Sequence, residues 1–415
     1  MSVHEVDTNL QDRALAVIPN GMFGHQSLTR MPDGYPQFFS KSQGTRLWDT
    51  KGKSYIDFMS AYGPNLLGYG HPDVEAAMRE QMARGDTMTG PAPVMVDLAE
   101  ALVSMIGHAD WAMFCKNGSD VTSMALMVAR AHTGRRKILV ARKAYHGTHL
   151  WTAPNPVGTV VEDRAHVVFF DYNDLGALEE AARQVGDDLA GVFVTSFRHD
   201  IAEDQADLDA DYARGVRRIC DSYGALLIVD EIRAGFRLSR NGSWDGVGVA
   251  PDLSCWGKVL GNGQPISALL GSDVCRTAAG EIFVTGSFWF SAVPMAAALE
   301  TLRIVRESDY LERLQDVGQY FRDTLCAQAK DHGFALRHTG PATMPMVLFQ
   351  DDPQALYGRH WCRIAMQNGV WLSPYHNMFI NGAMARGDID EALKATDVAF
   401  ADLKKNWATV QPITT

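Results

Sequence analysis

The stretch Ala225-Leu-Leu-Ile-Val-Asp230 joins five apolar residues to a carboxylate, and the interpretation of the whole chain starts from it. A continuous apolar run of this length is typical of a strand that is buried on both faces of a parallel sheet. A carboxylate at the end of such a strand is costly unless a cation lies beside it. Lys258, in Ser254-Cys-Trp-Gly-Lys258, follows 28 residues later. Without this lysine, an N-cap role for Asp230 would explain the pattern equally well.

The sequence around this run alternates between short apolar runs and segments of helical period. The runs predicted to be strands are 111–114, 137–141, 166–170, 191–194, 225–229 and 267–271. The segments predicted to be helices between them include 120–132, 174–185 and 207–222. Apolar strands separated by helices indicate an α/β fold, with a mostly parallel sheet covered by helices on both faces. Ligands bind such sheets at the carboxyl ends of the strands, where Asp230 falls.

The flanking sequence predicts a second, smaller domain. Residues 1–60 form an N-terminal segment that joins this domain and contains a hairpin over 45–58. Its first 45 or so residues are rich in Gly, Pro and polar groups and are expected to drape over the surface or over a partner. Residues 61–305 form the large domain. Residues 306–415 alternate between helices and strands and form a small α+β domain.

The bulk composition indicates a soluble cytoplasmic enzyme. The formal net charge of -11 and the pI of about 5.6 argue against a nucleic-acid partner. Six cysteines are scattered without any Cys-x-x-Cys pair, which favours reduced thiols and no bound metal. The start of the chain lacks the pattern of a signal peptide. No apolar stretch approaches the roughly 20 residues that a membrane-spanning helix needs.

Two short motifs lie beside the predicted strand ends. Asn117-Gly-Ser119 stands between a strand and a helix, where backbone N–H groups and a hydroxyl bind phosphate, although the same residues also form a routine N-cap. Tyr145-His146-Gly147 follows the next strand, and its aromatic ring is either a stacking surface or an ordinary rim residue. His146 and His149 have the spacing of metal ligands, but a structural role ranks above a metal site.

Taken together, these residues suit pyridoxal phosphate chemistry. A carboxylate at the position of Asp230 keeps the pyridine nitrogen of this cofactor protonated, and a lysine such as Lys258 holds its aldehyde as a Schiff base. A helix N-terminus at Gly118 and Ser119 accommodates its phosphate.

The assembled motifs resemble the class III, fold-type I aminotransferases that use pyridoxal phosphate, nearest to the glutamate-1-semialdehyde aminomutase branch. The resemblance runs from about residue 44 to residue 400. Its most specific part is Gly224-Ala-Leu-Leu-Ile-Val-Asp-Glu-Ile232 with Gly235-Phe-Arg237. The other matching motifs are Leu67-Gly-Tyr-Gly-His-Pro72, Asn117-Gly-Ser-Asp120, Thr133-Gly-Arg-Arg-Lys-Ile138, Tyr145-His-Gly147, Tyr172-Asn-Asp174, Pro251-Asp-Leu253 and Gly257-Lys258.

The resemblance implies a role for each matching residue. Lys258 is the Schiff-base lysine, and Asp230 is the partner of the pyridine nitrogen. Tyr145 stacks on one side of the ring, and Ile232 packs on the other. Ser287 stands where the neighbouring subunit usually contributes a threonine to the phosphate site, which implies a homodimer with shared active sites. The residues implied in cofactor binding are Asn117, Gly118, Ser119, Tyr145, His146, Asp230, Ile232, Lys258 and Ser287.

Several departures separate the chain from true aminomutases. The family's Glu-Pro after the fourth strand is replaced by Thr195-Ser196, and the Gly-Thr-x-Ser-Gly-Asn-Pro stretch is missing. These differences disfavour aminomutase activity in the tetrapyrrole pathway. Candidate substrate contacts are arginines that bind a carboxylate and aromatic residues that hold an apolar or sugar-like body. For Arg237, a structural pair with Glu231 or with a neighbour is the preferred alternative. These candidates are Tyr62, Trp151, Arg198, Arg237 and Trp289.

The activity implied by the resemblance is amino transfer between a small amine or amino acid and a carbonyl acceptor, with pyridoxamine phosphate as the other cofactor form. Aminomutases, racemases or epimerases and β-eliminating lyases use the same scaffold, and they stay open as alternatives. A catalytically silent relative would lack Lys258 or Asp230, and both are present. A nucleotide-binding α/β protein would carry a Walker or Rossmann glycine pattern, which the sequence lacks.

Overall fold

The computed structural model describes residues 3–155, 157–407 and 410. Residues 1, 2, 156, 408, 409 and 411–415, which the predicted domain boundaries include, lie outside the described residues. The α-helices are α1 (Val3–Val17), α2 (Pro72–Arg84), α3 (Val94–Met105), α4 (Gly118–Thr133), α5 (Leu175–Val185), α6 (Ala210–Tyr223), α7 (Arg276–Glu281), α8 (Ala292–Glu307), α9 (Tyr310–Asp331), α10 (Leu356–Gln367) and α11 (Arg386–Asn406). The strands are β1 (Phe39–Gln43), β2 (Arg46–Asp49), β3 (Ser54–Asp57), β4 (Trp111–Cys115), β5 (Lys137–Ala141), β6 (Val167–Phe170), β7 (Leu189–Thr195), β8 (Leu226–Asp230), β9 (Leu253–Trp256), β10 (Ser267–Gly271), β11 (Leu336–Thr339), β12 (Met346–Phe349) and β13 (Val370–Trp371).

A seven-stranded sheet organises the large part of the molecule, in the order β4-β10-β9-β8-β7-β5-β6. Every neighbouring pair is parallel except the two that β10 makes with β4 and β9. Thr195 pairs with Asp230, and Asp230 pairs with Cys255, so the carboxyl ends of β7, β8 and β9 lie side by side. The predicted α/β fold with a mostly parallel sheet is confirmed.

Apolar side chains leave both faces of this sheet and meet helices on each side. In β8, Ile228 packs with Val121 and Val128 of α4 on one face. The next residue, Val229, packs with Val216 of α6 on the other. This alternation follows from the pleat of a strand and explains why the run is apolar at every position. Polar side chains that could take part in chemistry therefore lie at the strand ends.

The second sheet brings the two ends of the chain together. Its order is β1-β2-β3-β13, with an antiparallel hairpin of β2 and β3 where one was predicted. β13 pairs in parallel with β3, so residues from near the N-terminus and near the C-terminus share one sheet. The domain boundaries at 60 and 305 stay a prediction. In the described residues, no helix has both the length and the apolar character needed to cross a bilayer.

Two elements were not predicted. The early segment contains the 15-residue helix α1, and its expected course over the surface or over a partner stays a prediction. Strand β9 was not predicted at all, because Leu-Ser-Cys-Trp is too short and too mixed to stand out as an apolar run. It nevertheless sits between β8 and β10 with all four residues buried, and it carries the chain to Lys258.

Candidate active site

Asp230 ends β8 as a buried carboxylate with defined partners on both oxygens. Its Oδ1 accepts a hydrogen bond from the Ile232 backbone N–H at 3.0 Å. Its Oδ2 lies 2.8 Å from Nδ1 of His146, which is also buried, and an ionised carboxylate accepts from the N–H of that ring. Thr122 Oγ1 in turn donates to the His146 carbonyl at 2.7 Å. The carboxylate is therefore held in one orientation at the edge of the sheet.

Lys258 follows β9 on the same edge, in a backbone conformation that few non-glycine residues adopt. Its φ of +43° lies in the left-handed region, and such strain in a non-glycine residue is concentrated at functional sites. Burial and the nearby positive charge of Arg233 lower the pKa of the Lys258 amine to about 8, although Asp230 acts in the opposite direction. The amine thus loses its proton far more readily than an exposed lysine does.

The first turn of α4 offers backbone N–H groups beside these two residues. Asn117 precedes the helix with extended dihedrals, and its own N–H donates to Asp120 Oδ2 at 3.0 Å. Because the first N–H groups of a helix have no intrahelical acceptors, the amides of Gly118 and Ser119 remain for an anion. Ser119 Oγ accepts from the Thr148 N–H at 3.0 Å, which ties the turn to the next loop.

Two glycines allow this turn to pack closely. A Cβ on Gly118 would lie 2.9 Å from Ile232 Cδ1. A Cβ on Gly147 would lie 2.6 Å from Ser119 Oγ, and the φ of +112° at Gly147 also favours glycine. The backbone of α4 can approach a ligand only because these positions carry no side chain.

These groups line one cavity of about 230 Å³. Its lining residues are Asn117, Gly118, Ser119, Tyr145, His146, Gly147, His199, Asp230, Ile232, Arg233 and Lys258. The cavity combines helix amides for a phosphate, a carboxylate for a ring nitrogen, an amine for an aldehyde, and aromatic and apolar side chains for a flat ring. This set of donors fits pyridoxal phosphate, and it contains eight of the nine residues predicted to bind the cofactor.

A second cavity of about 720 Å³ adjoins the first, and Tyr145, His146, His199, Arg233 and Lys258 line both. Its lining includes Tyr62 and Trp151, two of the predicted substrate residues. Trp151 is fixed by a hydrogen bond from Nε1 to Ser123 Oγ at 3.1 Å. Tyr62 stacks on His25, with 5.1 Å between ring centroids, and meets His376 edge-on at 5.5 Å.

Three histidines of the second cavity are neutral near pH 7. Burial lowers the pKa of His376 to about 3 and the pKa of His199 well below its usual range, with Arg233 adding to both effects. Burial also lowers the pKa of His25, with Arg30 as a further cause. A neutral imidazole donates and accepts hydrogen bonds without attracting a carboxylate.

The remaining predicted substrate residues lie outside both cavities. Arg198 is ion-paired with Asp200 at 3.2 Å. Arg237 is fully buried, and it donates to the backbone carbonyls of Ile380 and Gly63 at 2.8 and 2.7 Å. Arg237 therefore has a structural role, but its partners are backbone carbonyls and not Glu231, which accepts hydrogen bonds from Ser196 and Ser243 instead. Trp289 packs against the core beside α4, and Ser287 is exposed on the segment before α8.

Several lining residues were not predicted from the sequence, among them Arg233, His199, His25 and His376. Arg233 and His199 follow β8 and β7 at the same sheet edge as Asp230. Their positions just after strand ends could have indicated that they line the site. His25 and His376 come from segments more than 300 residues apart in the sequence. No sequence pattern connects those two segments.

Comparisons with known proteins show the family to which the chain belongs. A family model described as Aminotransferase class-III matches residues 30–385. An aminopentol aminotransferase of Sphingopyxis macrogoltabida is 53% identical over 97% of this chain and 96% of its own length. A 3-aminobutyryl-CoA aminotransferase of Cloacimonas acidaminovorans (strain Evry) is 30% identical over 96% of this chain and 97% of its own length.

Solved structures show the same architecture. The pyridoxal phosphate internal aldimine form of the FumI protein from Sphingopyxis sp. MTA144 superimposes with a TM-score of 0.97 at 53% identity, covering 98% of each chain. A glutamate-1-semialdehyde aminomutase from Pseudomonas aeruginosa PAO1 gives a TM-score of 0.85 at 19% identity, covering 97% of this chain and 95% of its own. At that identity the second likeness concerns the fold alone.

Proposed function

The chain belongs to the class III aminotransferases, and from this premise we propose that its amino donor is a primary amine whose body carries hydroxyl groups. The cofactor is pyridoxal phosphate, and the reaction is amino transfer. The donor is taken from the relative at 53% identity, which is named for an aminopentol. The observation that carries this proposal is a group of uncharged, hydrogen-bonding side chains in the lining of the larger cavity.

Five uncharged side chains in the lining of the larger cavity suit a hydroxylated chain, while Arg142, Lys143, Arg233 and other charged residues line the remainder. Tyr62 keeps its phenolic proton, because burial raises its pKa to about 12. With the neutral rings of His25, His199 and His376, it offers donors and acceptors to hydroxyl groups, while Trp151 offers an apolar face. A site built to hydrogen-bond a hydroxyl discriminates strongly against an analogue that lacks it.

The residues of the smaller cavity divide the chemical work among them. Bound pyridoxal phosphate supplies an electron sink for negative charge on the carbon next to the amine nitrogen. Asp230, oriented by His146, would hold the proton on the ring nitrogen. The amides of Gly118 and Ser119 would hold the phosphate, and Tyr145 and Ile232 would enclose the ring. Lys258, with its pKa near 8, is suited to remove a proton from the donor and to return it at the neighbouring atom.

We also propose that the active form is a cytoplasmic homodimer in which Ser287 completes the phosphate site of the partner subunit. Ser287 is exposed and does not line the cavity of its own chain. Phe283 and Phe288 beside it are 87% and 65% exposed, which suits an interface better than a surface in water. The six free cysteines suit a reducing compartment.

The donor proposal is tested by following the visible absorbance of the cofactor in the purified enzyme. An aminopentol should shift the band at lower concentrations than a simple aliphatic amine without hydroxyl groups, by at least about tenfold. Lys258→Ala is the control that should show no catalytic conversion. Equal responses to both amines, or a preference for an amino acid, would contradict the proposed donor class.

A further inference from the structure

His199 presents a buried imidazole at the junction of the two cavities, and the protein gives its ring nitrogens little to bind. The residue lines both cavities and is only 7% exposed. Phe197 packs edge-on against the ring, with 5.2 Å between the ring centroids. Within the described parts of the chain, no other residue forms a hydrogen bond with its ring nitrogens. The carbonyl of His199 itself lies beside the ring, but it already accepts from Arg233 Nη1 at 3.0 Å.

The surroundings of this ring keep it neutral. Burial lowers the pKa of His199 well below its usual range, and the positive charges of Arg233 and Lys258 add to this effect. The neutral ring has one N–H donor and one acceptor nitrogen. Because a buried donor without a partner is costly, a ligand that brings an acceptor to this position would be stabilised.

The arrangement of the two cavities determines which edge of the cofactor would face His199. Pyridoxal phosphate carries its aldehyde opposite the ring nitrogen, and the phosphate arm and the 3-oxygen stand on the two carbons that flank the aldehyde carbon. Gly118 and Ser119, the anchors proposed for the phosphate, line only the smaller cavity. Lys258 and His199 line both cavities. With the phosphate at the closed end, the 3-oxygen points toward the junction, beside the aldehyde carbon.

Two other polar side chains near the junction are engaged elsewhere. His146 Nδ1 lies 2.8 Å from Asp230 Oδ2, at the end of the cavity assigned to the ring nitrogen. Arg233 donates from Nη1 to two acceptors, and Asp230 and Asp200 lie close enough to act on its charge. His199 is therefore the polar side chain that is best placed for the 3-oxygen.

His199 also belongs to a stretch in which the chain departs from the family pattern. It follows Thr195-Ser196, which stands where the family has Glu-Pro, by three residues. Thr195 Oγ1 donates to the Phe197 carbonyl at 2.8 Å, and this bond shapes the turn that leads to His199. The smaller cavity thus contains a polar residue whose role the family pattern does not supply.

We infer that His199 donates a hydrogen bond to the 3-oxygen of the bound cofactor, beside the carbon that Lys258 would hold. The bond would position the ring and stabilise negative charge on that oxygen. The inference goes beyond the proposed donor, because it concerns the cofactor and holds for any amine. It assigns one of the two ring nitrogens, so the other stays available to the larger cavity.

Binding of two cofactors to the cofactor-free enzyme tests the inference without turnover. The unmodified chain should bind pyridoxal phosphate at least about tenfold more tightly than 3-deoxypyridoxal phosphate, which lacks the 3-oxygen. His199→Phe should reduce this preference at least about fivefold, whereas His199→Gln, which keeps an N–H donor, should retain more of it. His25→Phe, in the larger cavity only, is the matched control and should keep the full preference. Because the preference is a ratio measured in one protein, a general loss of affinity does not imitate the effect.

A second measurement follows the charge on the oxygen in the cofactor-loaded enzyme. The pH midpoint of the visible absorbance change should rise by about one unit in His199→Phe, since loss of a donor destabilises the anionic oxygen. A midpoint that stays or falls would overturn the inference, as would an unchanged preference in His199→Phe. A loss of preference confined to Arg233→Gln would assign the 3-oxygen to that arginine instead. An enzyme that ignores the aminopentol but shows the expected pattern would contradict the donor proposal and leave this inference standing.

Discussion

Lys258 shows how much of the chemistry depends on the surroundings of one residue. It is held at a φ of +43° between the positive charge of Arg233 and the negative charge of Asp230. Burial and Arg233 outweigh Asp230, so the net effect is to favour the neutral amine. A neutral amine is the form that attacks an aldehyde and accepts a proton, which is the work assigned to this residue.

The first prediction concerns the protonation of this amine. In the cofactor-free protein, labelling of Lys258 by an amine-reactive reagent should rise with pH around a midpoint near 8, the pKa of the amine. Arg233→Gln should move the midpoint upward, because removing a neighbouring cation stabilises the ammonium form. Mass spectrometry of the labelled peptide gives the rate at each pH. A midpoint near 10.4, the ordinary value for lysine, would show that the environment does not act as described.

At this scale, sequence reasoning succeeds where a residue carries its own signal. Asp230 stands out because a carboxylate ends an apolar strand, and Lys258 gains meaning from its distance to Asp230. Tyr62 and Trp151 line the larger cavity, but Arg198 and Arg237 do not. The sequence does not distinguish an arginine that faces a ligand from one that binds a backbone carbonyl, because the packing of distant segments decides between the two environments.

The packing of helices and loops against each other determines how precisely the side chains of the site are positioned. The turn that begins α4 and the loop that carries Tyr145 touch at Gly147, where the backbone of one passes over Ser119 of the other. The close approach brings the helix amides, Asp230 and Lys258 to one cavity. Substitution of the glycine should therefore affect ligand binding as well as folding.

The second prediction is that Gly147→Ala loosens this junction. The new Cβ would lie 2.6 Å from Ser119 Oγ and 2.9 Å from Ser119 Cα, at a φ of +112°. We expect the free energy of unfolding to fall by about 2–3 kcal/mol and the cofactor affinity to fall at least about tenfold. Gly246→Ala, whose Cβ meets no atom within 4 Å, is the matched control. Equal effects in both variants, by denaturant titration and cofactor titration, would contradict this account.

A second strained element places Tyr62 in the larger cavity. Ser60, Ala61 and Tyr62 have successive φ values of +45°, +54° and +64°, which make a left-handed turn of three non-glycine residues. Each such residue costs roughly 1–2 kcal/mol. The surrounding contacts, including the bond from Asn381 Nδ2 to Ser60 Oγ at 3.0 Å, must compensate.

The third prediction is that Ala61→Gly stabilises the protein. Ala61 is exposed, so the substitution removes the strain without opening a cavity. The relief exceeds the entropy that glycine adds to the unfolded chain, for a net gain of about 0.5–1 kcal/mol in the free energy of unfolding. Ala76→Gly, on an exposed position of α2, should cost about 1 kcal/mol. A loss of stability in both variants, measured by denaturant titration, would mean that the turn is not strained.

The positions of the strands could be predicted from the sequence better than their directions and their ends. The six predicted strands are all present, because buried strands are marked by continuous apolar runs. β10 is antiparallel to its neighbours, a fact that no apolar run encodes. Strand β9 is only four residues long and depends on neighbours on both sides, so its pairing decides its structure more than its own residues do.

At the scale of the whole molecule, the question is which active site the exposed segment around Ser287 serves. The segment flanks α8, carries two exposed phenylalanines, and stays outside the cavity of its own chain. In a twofold dimer, the interface is built from the same surface patch of both subunits, so a segment in that patch can reach the site of the partner. A shared site predicts a dimer and also predicts that two different inactive variants restore activity to each other.

The fourth prediction is that two inactive variants restore each other. Lys258→Ala removes the reactive amine, and Ser287→Asp places a negative charge where the partner's phosphate would bind. After unfolding and refolding together, about half of the dimers are mixed, and each mixed dimer has one complete site, so activity should recover to about a quarter of the unmodified level. Light scattering reports the dimer, and each variant refolded alone is the control. Dimers without recovered activity would place Ser287 outside the partner's site, and monomers would remove the basis for sharing altogether.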